Sequence, residues 1–308
     1  MIRIRLNTSN DVKPFKTIDQ QLDLLESRGL IIPDRNNAAA ILERTSYYRF
    51  SAYSLTLRDY DSFHNGVTFD NVYELYRFDD AFRKIVLAYT SYVEIAFRAH
   101  IAYEHGQKYG PLGYMQPSNF NNVARHQKFI EKLSNEIGRS DDAFVHHHRE
   151  DRNCVFPIWV ALECSSFGEL SKMYKNMMDK DKTNIAKKYY GRSRSYIENW
   201  LQVCVYARSI AAHGGRFYNR KLRSVPLRIP KKLKDQIDRE TPFAAIFAIH
   251  KLQPTTELTQ SLRSEIEGVF KKYPSAELKH MGFPENWIRI LIESQTSYAD
   301  LKKTKEIR

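Results

Sequence analysis

The sequence predicts an all-α fold, and three observations carry that prediction. Apolar residues recur at three- and four-residue steps along most of the 308-residue chain, the spacing of one buried helix face. A long stretch from about Asp70 to Glu104 keeps that spacing without a single Gly or Pro. The strict apolar–polar alternation of a half-buried strand is scarce. The expected arrangement is one domain, with helical additions before and after a central bundle.

The elements follow in order. Residues 17–29 begin at a capping Thr17 and stop at Gly29, which gives a short amphipathic helix. Asp34 is placed to cap the next helix, through 37–45. The aromatic run 46–60, SYYRFSAYSLTLRDY, fits either a strand or a short helix, and Asn65-Gly66 marks a turn. In the long helix, Leu75, Phe78, Phe82, Ile85, Tyr89, Tyr92 and Ala96 form the expected buried stripe, ended by Gly106, Gly110, Pro111, Gly113 and Pro117. Residues 122–137 form another helix, and 138–153 read as an exposed loop with at most a helical turn. Pro157 opens a helix interrupted around residues 165–168. A short polar helix covers 182–190, and Ser195 caps a helix over 195–213. The chain after Gly215 reads as irregular, with room for a short extended pair near Pro226 and Pro230. Three helices close the chain, over 242–252, 257–272 and 286–293.

The composition is that of a folded protein with ample core, since 42% of residues are hydrophobic and Tyr and Phe are plentiful. Cys154, Cys164 and Cys204 fit no metal spacing and read as buried thiols in a reducing compartment. The first residues lack an apolar signal core and no 18-residue apolar run occurs, so a cytoplasmic chain without membrane contact is expected. Charge is concentrated. From Lys187 to Lys234 there are 13 Lys/Arg and one acid, Glu198, a balance of +12 that equals the net charge of the whole chain. Such an excess around one helix and its exit suits a polyanion-binding surface.

That helix carries the candidate chemistry. Ile197, Leu201, Cys204, Arg208 and Ala211 fall at steps of four and three, so Arg208 occupies a position where the pattern asks for an apolar side chain. A guanidinium there must be paired or open onto a cleft or interface. Gln202, Tyr206, Ser209 and His213 form a second, polar stripe. His213 ends it, and Gly214 can take the left-handed capping conformation. Positions five apart are separated by about 140° around a regular helix. Arg208 and His213 therefore meet through a distorted last turn or across a two-fold axis.

The stretch RSIAAHGGRFYNR (208–220) resembles the R-N-x-x-A-H-x-x-R-x-x-N-R signature of abortive-infection (Abi) proteins of the AbiD/AbiF type, bacterial anti-phage proteins with a HEPN-type ribonuclease domain. QQLDLLESRGLIIPD (20–34), YYRFSAYSLTLRD (47–59), LYRFDDAFRKIVLAYTSYVEIAFRAHIAY (75–103) and PIWVALECSSFGELSKMYKNM (157–177) look like further blocks of that family, in family order. The resemblance implies a HEPN-type helical bundle core over roughly 66–225, between additions at 1–65 and 226–308. It implies a homodimer whose R-x4-H motifs line one cleft, and RNA cleavage that needs no metal or other cofactor. In that scheme the ribose 2′-OH attacks the adjacent phosphate. Arg208 stabilises the charge that develops and His213 moves protons. Ser209 stands where the family usually has Asn; it is the expected partner of His213 one turn away, with a shorter reach than Asn. The same resemblance implies a toxin-like protein restrained by an antitoxin or by a structured small RNA.

Other residues are candidates for support. Glu94 and Arg98 are one turn apart and form either a helix-surface ion pair or a brace for Arg208 or His213. Arg216, Asn219, Arg220, Lys221 and Arg223 are expected phosphate contacts, and Tyr218 an RNA base-stacking ring. His146-His147-His148 reads as solvated loop rather than a metal site. No phosphate-binding Gly-rich loop, dinucleotide fingerprint or serine-hydrolase elbow is present. A non-catalytic RNA-binding module of the same fold is the alternative reading.

Overall fold

The computed structural model describes residues 14–293, and among them are thirteen α-helices and one two-residue-strand hairpin. The fold is all-α, as the helical spacing predicts. The chain divides into two compact units, one ending at Arg77 and one beginning at Phe78.

The first unit holds α1 (Ile18–Ser27), α2 (Arg35–Thr45) and α3 (Tyr47–Ser51). Thr17 opens α1 with a capping box: its hydroxyl accepts from the Gln20 amide, and Gln20 Oε1 accepts from the Thr17 amide at 3.0 Å. Asp34 caps α2 by accepting from the Asn37 amide at 2.9 Å. The ambiguous aromatic run resolves into both of its options. Its first part is α3, and its end is strand β1 (Arg58–Asp59), antiparallel to β2 (Ser62–Phe63).

Helix α4 (Phe69–Tyr109) is longer than its sequence signal, because it runs through Gly106. A Cβ there would lie 3.2 Å from Ile158 Cγ2, so the glycine serves close packing and not a turn. Gly110, at φ +78°, ends the helix. The expected buried stripe holds as far as Tyr89 and then drifts. Val93, Phe97 and Ile101 are buried, whereas Tyr92 is 43% exposed and Ala96 lies at the margin. A strict 3.5-residue repeat slides by about 20° per heptad around a straight helix, and over 41 residues that moves the face.

In the second unit α5 (Val123–Arg139), α6 (Ala143–Glu150), α7 (Ile158–Ala161), α8 (Phe167–Asn176) and α9 (Asp179–Tyr190) lead to α10 (Arg194–Ala212). Segment 138–153 is not a loop. Fully buried Val145 anchors a two-turn helix there. Its histidines serve the helix surface: His147 Nδ1 lies 2.8 Å from Asp151 and His148 Nδ1 2.8 Å from the Phe144 carbonyl. The cap of α10 is Ser193 and not Ser195, which sits inside the first turn. α10 is packed against α8, α9 and α11 (Pro242–Lys251), with Trp200, Leu201 and Cys204 buried at its centre. Trp200 Nε1 donates to the Arg228 carbonyl at 2.9 Å. No strand forms between Gly215 and α11; backbone amides of Leu222 and Leu227 instead donate to the carbonyls of Glu240 and Arg239. α12 (Thr256–Lys272) and α13 (Trp287–Glu293) complete the described chain. Only one of the three expected buried thiols is buried, Cys204; Cys164 is half-buried and Cys154 exposed. Among the described residues no helix is long and apolar enough to cross a membrane.

α11 is apolar all round and buried from Pro242 to His250, which draws Lys251 into an unfavourable setting. Burial, reinforced by the nearby cations Arg192 and Arg263, lowers its pKa to about 6, while Nζ donates to the Leu291 carbonyl at 2.9 Å. A lysine whose folded pKa lies below its unfolded value costs stability in full below that folded pKa, and the cost is relieved as pH rises toward the ordinary lysine range. Stability is therefore expected to gain up to about 1.4 kcal/mol per pH unit above pH 6. Thermal melts of Lys251→Met between pH 6 and 9 check this: the variant should melt higher at pH 7 and lose that slope.

Candidate active site

The end of α10 explains why the apolar run stops at His213-Gly214-Gly215. Gly214 sits at φ +63°. Its amide donates to the Ala211 carbonyl at 3.1 Å, and the Gly215 amide donates to the Ile210 carbonyl at 2.8 Å. These two bonds make a Schellman motif, which satisfies carbonyls that the helix leaves open. Gly214 supplies the left-handed conformation. Gly215 supplies room, since a Cβ there would meet Ile210 Cγ2 at 2.8 Å and the Ile210 carbonyl at 3.0 Å. Gly215→Ala is expected to cost about 1–3 kcal/mol, read as a lower midpoint in thermal or urea unfolding.

His213 is exposed at this end, with Nδ1 2.8 Å from the backbone carbonyl of Ser209. A carbonyl only accepts, so Nδ1 carries the hydrogen, and in the neutral ring Nε2 is the basic nitrogen. The Ser209 hydroxyl was the expected partner. The backbone holds the ring instead, so the Ser-for-Asn difference does not decide how the imidazole is oriented.

Arg208 does not enter the core. The buried face of α10 passes through Ala207, Ile210 and Ala211, and the Arg208 side chain is 46% exposed. Its Nε lies 3.6 Å from Oε2 of Glu94 on α4. The other oxygen of Glu94 accepts from Arg98 Nη2 at 2.9 Å, and Arg98 also donates to the Ser165 carbonyl at 3.1 Å. Glu94 and Arg98 are each only 13% exposed. The two form an i,i+4 ion pair that is largely buried and not on the helix surface, and the same carboxylate lies against Arg208. No described hydrogen bond or ion pair joins Arg208 to His213. Within one chain they are held separately.

The segment beyond the glycines is fixed by a residue that sequence reading passed over. Asp79 on α4 is fully buried and accepts from the backbone amides of Phe217 at 3.0 Å and Tyr218 at 2.7 Å, and from Arg83 at 2.6 Å. The exit segment is thus tied to α4 by one carboxylate. Tyr218 cannot stack on a base as expected. Its ring is 1% exposed and packs edge-on against Phe78 at 5.9 Å, a core position beside Phe217.

Asn219 is exposed at φ +50°, with its amide donating to the His280 carbonyl at 3.1 Å. Arg220 donates back to the Arg216 carbonyl at 3.2 Å, so it braces the turn. Lys221 pairs with Asp238, and Arg223 lies 3.9 Å from Glu240. Lys188 and Arg194 likewise meet Glu104 and Asp179. The +12 counted along the segment is partly met by acids from elsewhere in the fold. Among the described residues no group of three His, Cys, Asp or Glu side chains is placed to hold a metal ion.

Fold and site together define an all-α protein with an exposed arginine and an exposed histidine on the last turns of a buried helix, the arginine braced from the long helix α4. The model of the Abi-like protein family matches residues 40–219, which includes Glu94, Arg98, the whole of α10 and the exit through Asn219. The chain belongs to the Abi-like protein family, and that membership suggests a part in abortive infection. Comparison with curated proteins and with solved structures gave no match.

Proposed function

We propose that this protein is a metal-independent endoribonuclease of the HEPN type, close to the AbiD/AbiF proteins, that acts in bacterial abortive infection. The observation that carries the reading is the state of His213. With Nδ1 bound to the Ser209 carbonyl, Nε2 is a base at an exposed helix end, on the same final turns as the braced Arg208.

The chemistry needs little else. Nε2 of His213 removes the proton of a ribose 2′-OH, whose oxygen attacks the neighbouring phosphorus. The bond to the 5′-oxygen breaks, that oxygen takes a proton from an imidazolium, and the products end in a 2′,3′-cyclic phosphate and a 5′-OH. Arg208 offsets the charge that grows on the non-bridging oxygens. The dependence on a 2′-OH restricts cleavage to RNA. The imidazolium formed in the first step supplies that proton, and in a homodimer Arg208 of one subunit serves the link that faces His213 of the other, which gives two such sites per dimer. A solvent-facing strip of α4 on the side away from Glu94 supports a homodimer: Tyr92, Ile95 and Tyr103 are 43%, 57% and 58% exposed, and a second copy would cover them. Such a cytoplasmic nuclease needs restraint, by an antitoxin protein or a bound small RNA.

The test is incubation of purified protein with end-labelled RNA in EDTA. Fragments bearing cyclic phosphates are the expected result. Tight, salt-sensitive binding with no fragments would replace the enzyme with a binding module of the same fold.

A further inference from the structure

A cavity of about 410 Å³ lies apart from the Arg208–His213 end of α10, between α5 and α8. Arg125, Lys128 and Lys132 line it from α5, at helical steps of three and four that put them on one face. Lys172 and Lys175 line it from α8, and Gln202 of α10 borders it. Glu169 is the one acid among the lining residues, and a single oxygen of its carboxylate already accepts from Lys132 at 2.9 Å and Lys172 at 2.7 Å. Lys175 lies 3.9 Å from Glu198. Arg125 and Lys128 have no ion pair among the described residues. Five cations around one spent carboxylate repel one another across the cleft, and a chain of phosphates relieves that repulsion.

Gln202 decides which phosphates. It begins the polar stripe of α10 that continues through Tyr206 and Ser209 to His213, so the cavity and the candidate catalytic end share one helix face. Eleven residues at 1.5 Å each separate them by about 16 Å, or about five nucleotides at a stacked rise of ~3.4 Å. We infer that the α5–α8 cleft is an exosite for the sugar–phosphate backbone of the same RNA strand whose scissile bond lies at His213. This rests on the nuclease reading for its polarity along α10, but the cleft's affinity for RNA stands apart from cleavage.

The probe is an unstructured, fluorescein-labelled 2′-O-methyl RNA of about 12 nucleotides, which has no 2′-OH to attack. Its binding is followed by anisotropy across 50–200 mM salt. The double substitution Arg125→Ala/Lys128→Ala, folded by circular dichroism, is expected to bind about 10-fold more weakly. Its plot of log affinity against log salt should be shallower by about 1.4, the loss of two single-strand phosphate contacts. Lys271→Ala, an exposed lysine of α12 outside the cleft lining, should bind as wild type does. Unchanged affinity and slope in the double variant would overturn the exosite, as would displacement by poly-glutamate at concentrations where unlabelled RNA does not compete. Wild-type protein that binds through the cleft yet leaves unmodified RNA intact would sink the nuclease and spare the exosite. Wild-type cleavage with an indifferent double variant would do the reverse.

Discussion

His213→Ala is expected to slow RNA cleavage by about 10²–10⁴-fold, the range over which a positioned general acid–base acts. The loss should fall on kcat, because the exposed imidazole is tied only to its own helix and its removal leaves the fold intact. Arg208→Ala should cost about 10²–10³-fold, as removal of a single transition-state donor does. Arg208→Lys should not restore the rate, since an ammonium lacks the planar fork that spans two phosphate oxygens. Glu94 acts one step removed. It touches Arg208 at 3.6 Å and Arg98 at 2.9 Å, so Glu94→Gln should lower kcat by less, with KM unchanged. Single-turnover kinetics on a short RNA, with melting curves for each variant, separates these effects from unfolding.

Asp79→Ala is expected to be the most destabilising single change in the second unit. The carboxylate is fully buried and serves two backbone amides and Arg83, whose side chain is 7% exposed. Removing it takes away one of the two carboxylates that Arg83 meets, Asp80 remaining at 3.0 Å, and leaves two buried N–H donors unmet, at a cost of about 2–5 kcal/mol. The consequence reaches the site, because those amides belong to Phe217 and Tyr218, just beyond the Schellman turn that presents His213. Asp79→Asn should be milder: its carboxamide oxygen still accepts, while one of the two charges opposite Arg83 is lost. Urea titration of both variants gives the order directly. Equal midpoints for wild type and Asp79→Ala would remove this carboxylate from its anchoring role.

Local rules made much of this structure legible. Thr17 and Asp34 cap their helices because short oxygen-bearing side chains reach the second or third amide. Gly214 takes the left-handed position at the end of α10. Arg208 stands out in the sequence as a cation on an apolar stripe, and its partner Glu94 is legible there as a candidate brace. What stayed hidden depends on contacts far apart in sequence. Tyr218 and Tyr206 look alike in a string of letters, yet Tyr218 is a core ring because Asp79 pulls its backbone inward. Asp79 did leave a trace, an acid inside the Phe78–Phe82 stripe with Arg83 one turn on. The cleft between α5 and α8 left none, since its two rows of cations lie about forty residues apart.

The central claim is that Arg208 of one subunit and His213 of another act on one ribose–phosphate link. Mixing the Arg208→Ala and His213→Ala proteins under conditions of subunit exchange tests it most directly. If each site draws one residue from each chain, half the dimers become mixed and each of those holds one intact site, so activity should return to about one quarter of wild type. Activity that stays at the level of the separate variants would contradict a shared site. Wild-type cleavage by either variant alone would remove these residues from the chemistry altogether.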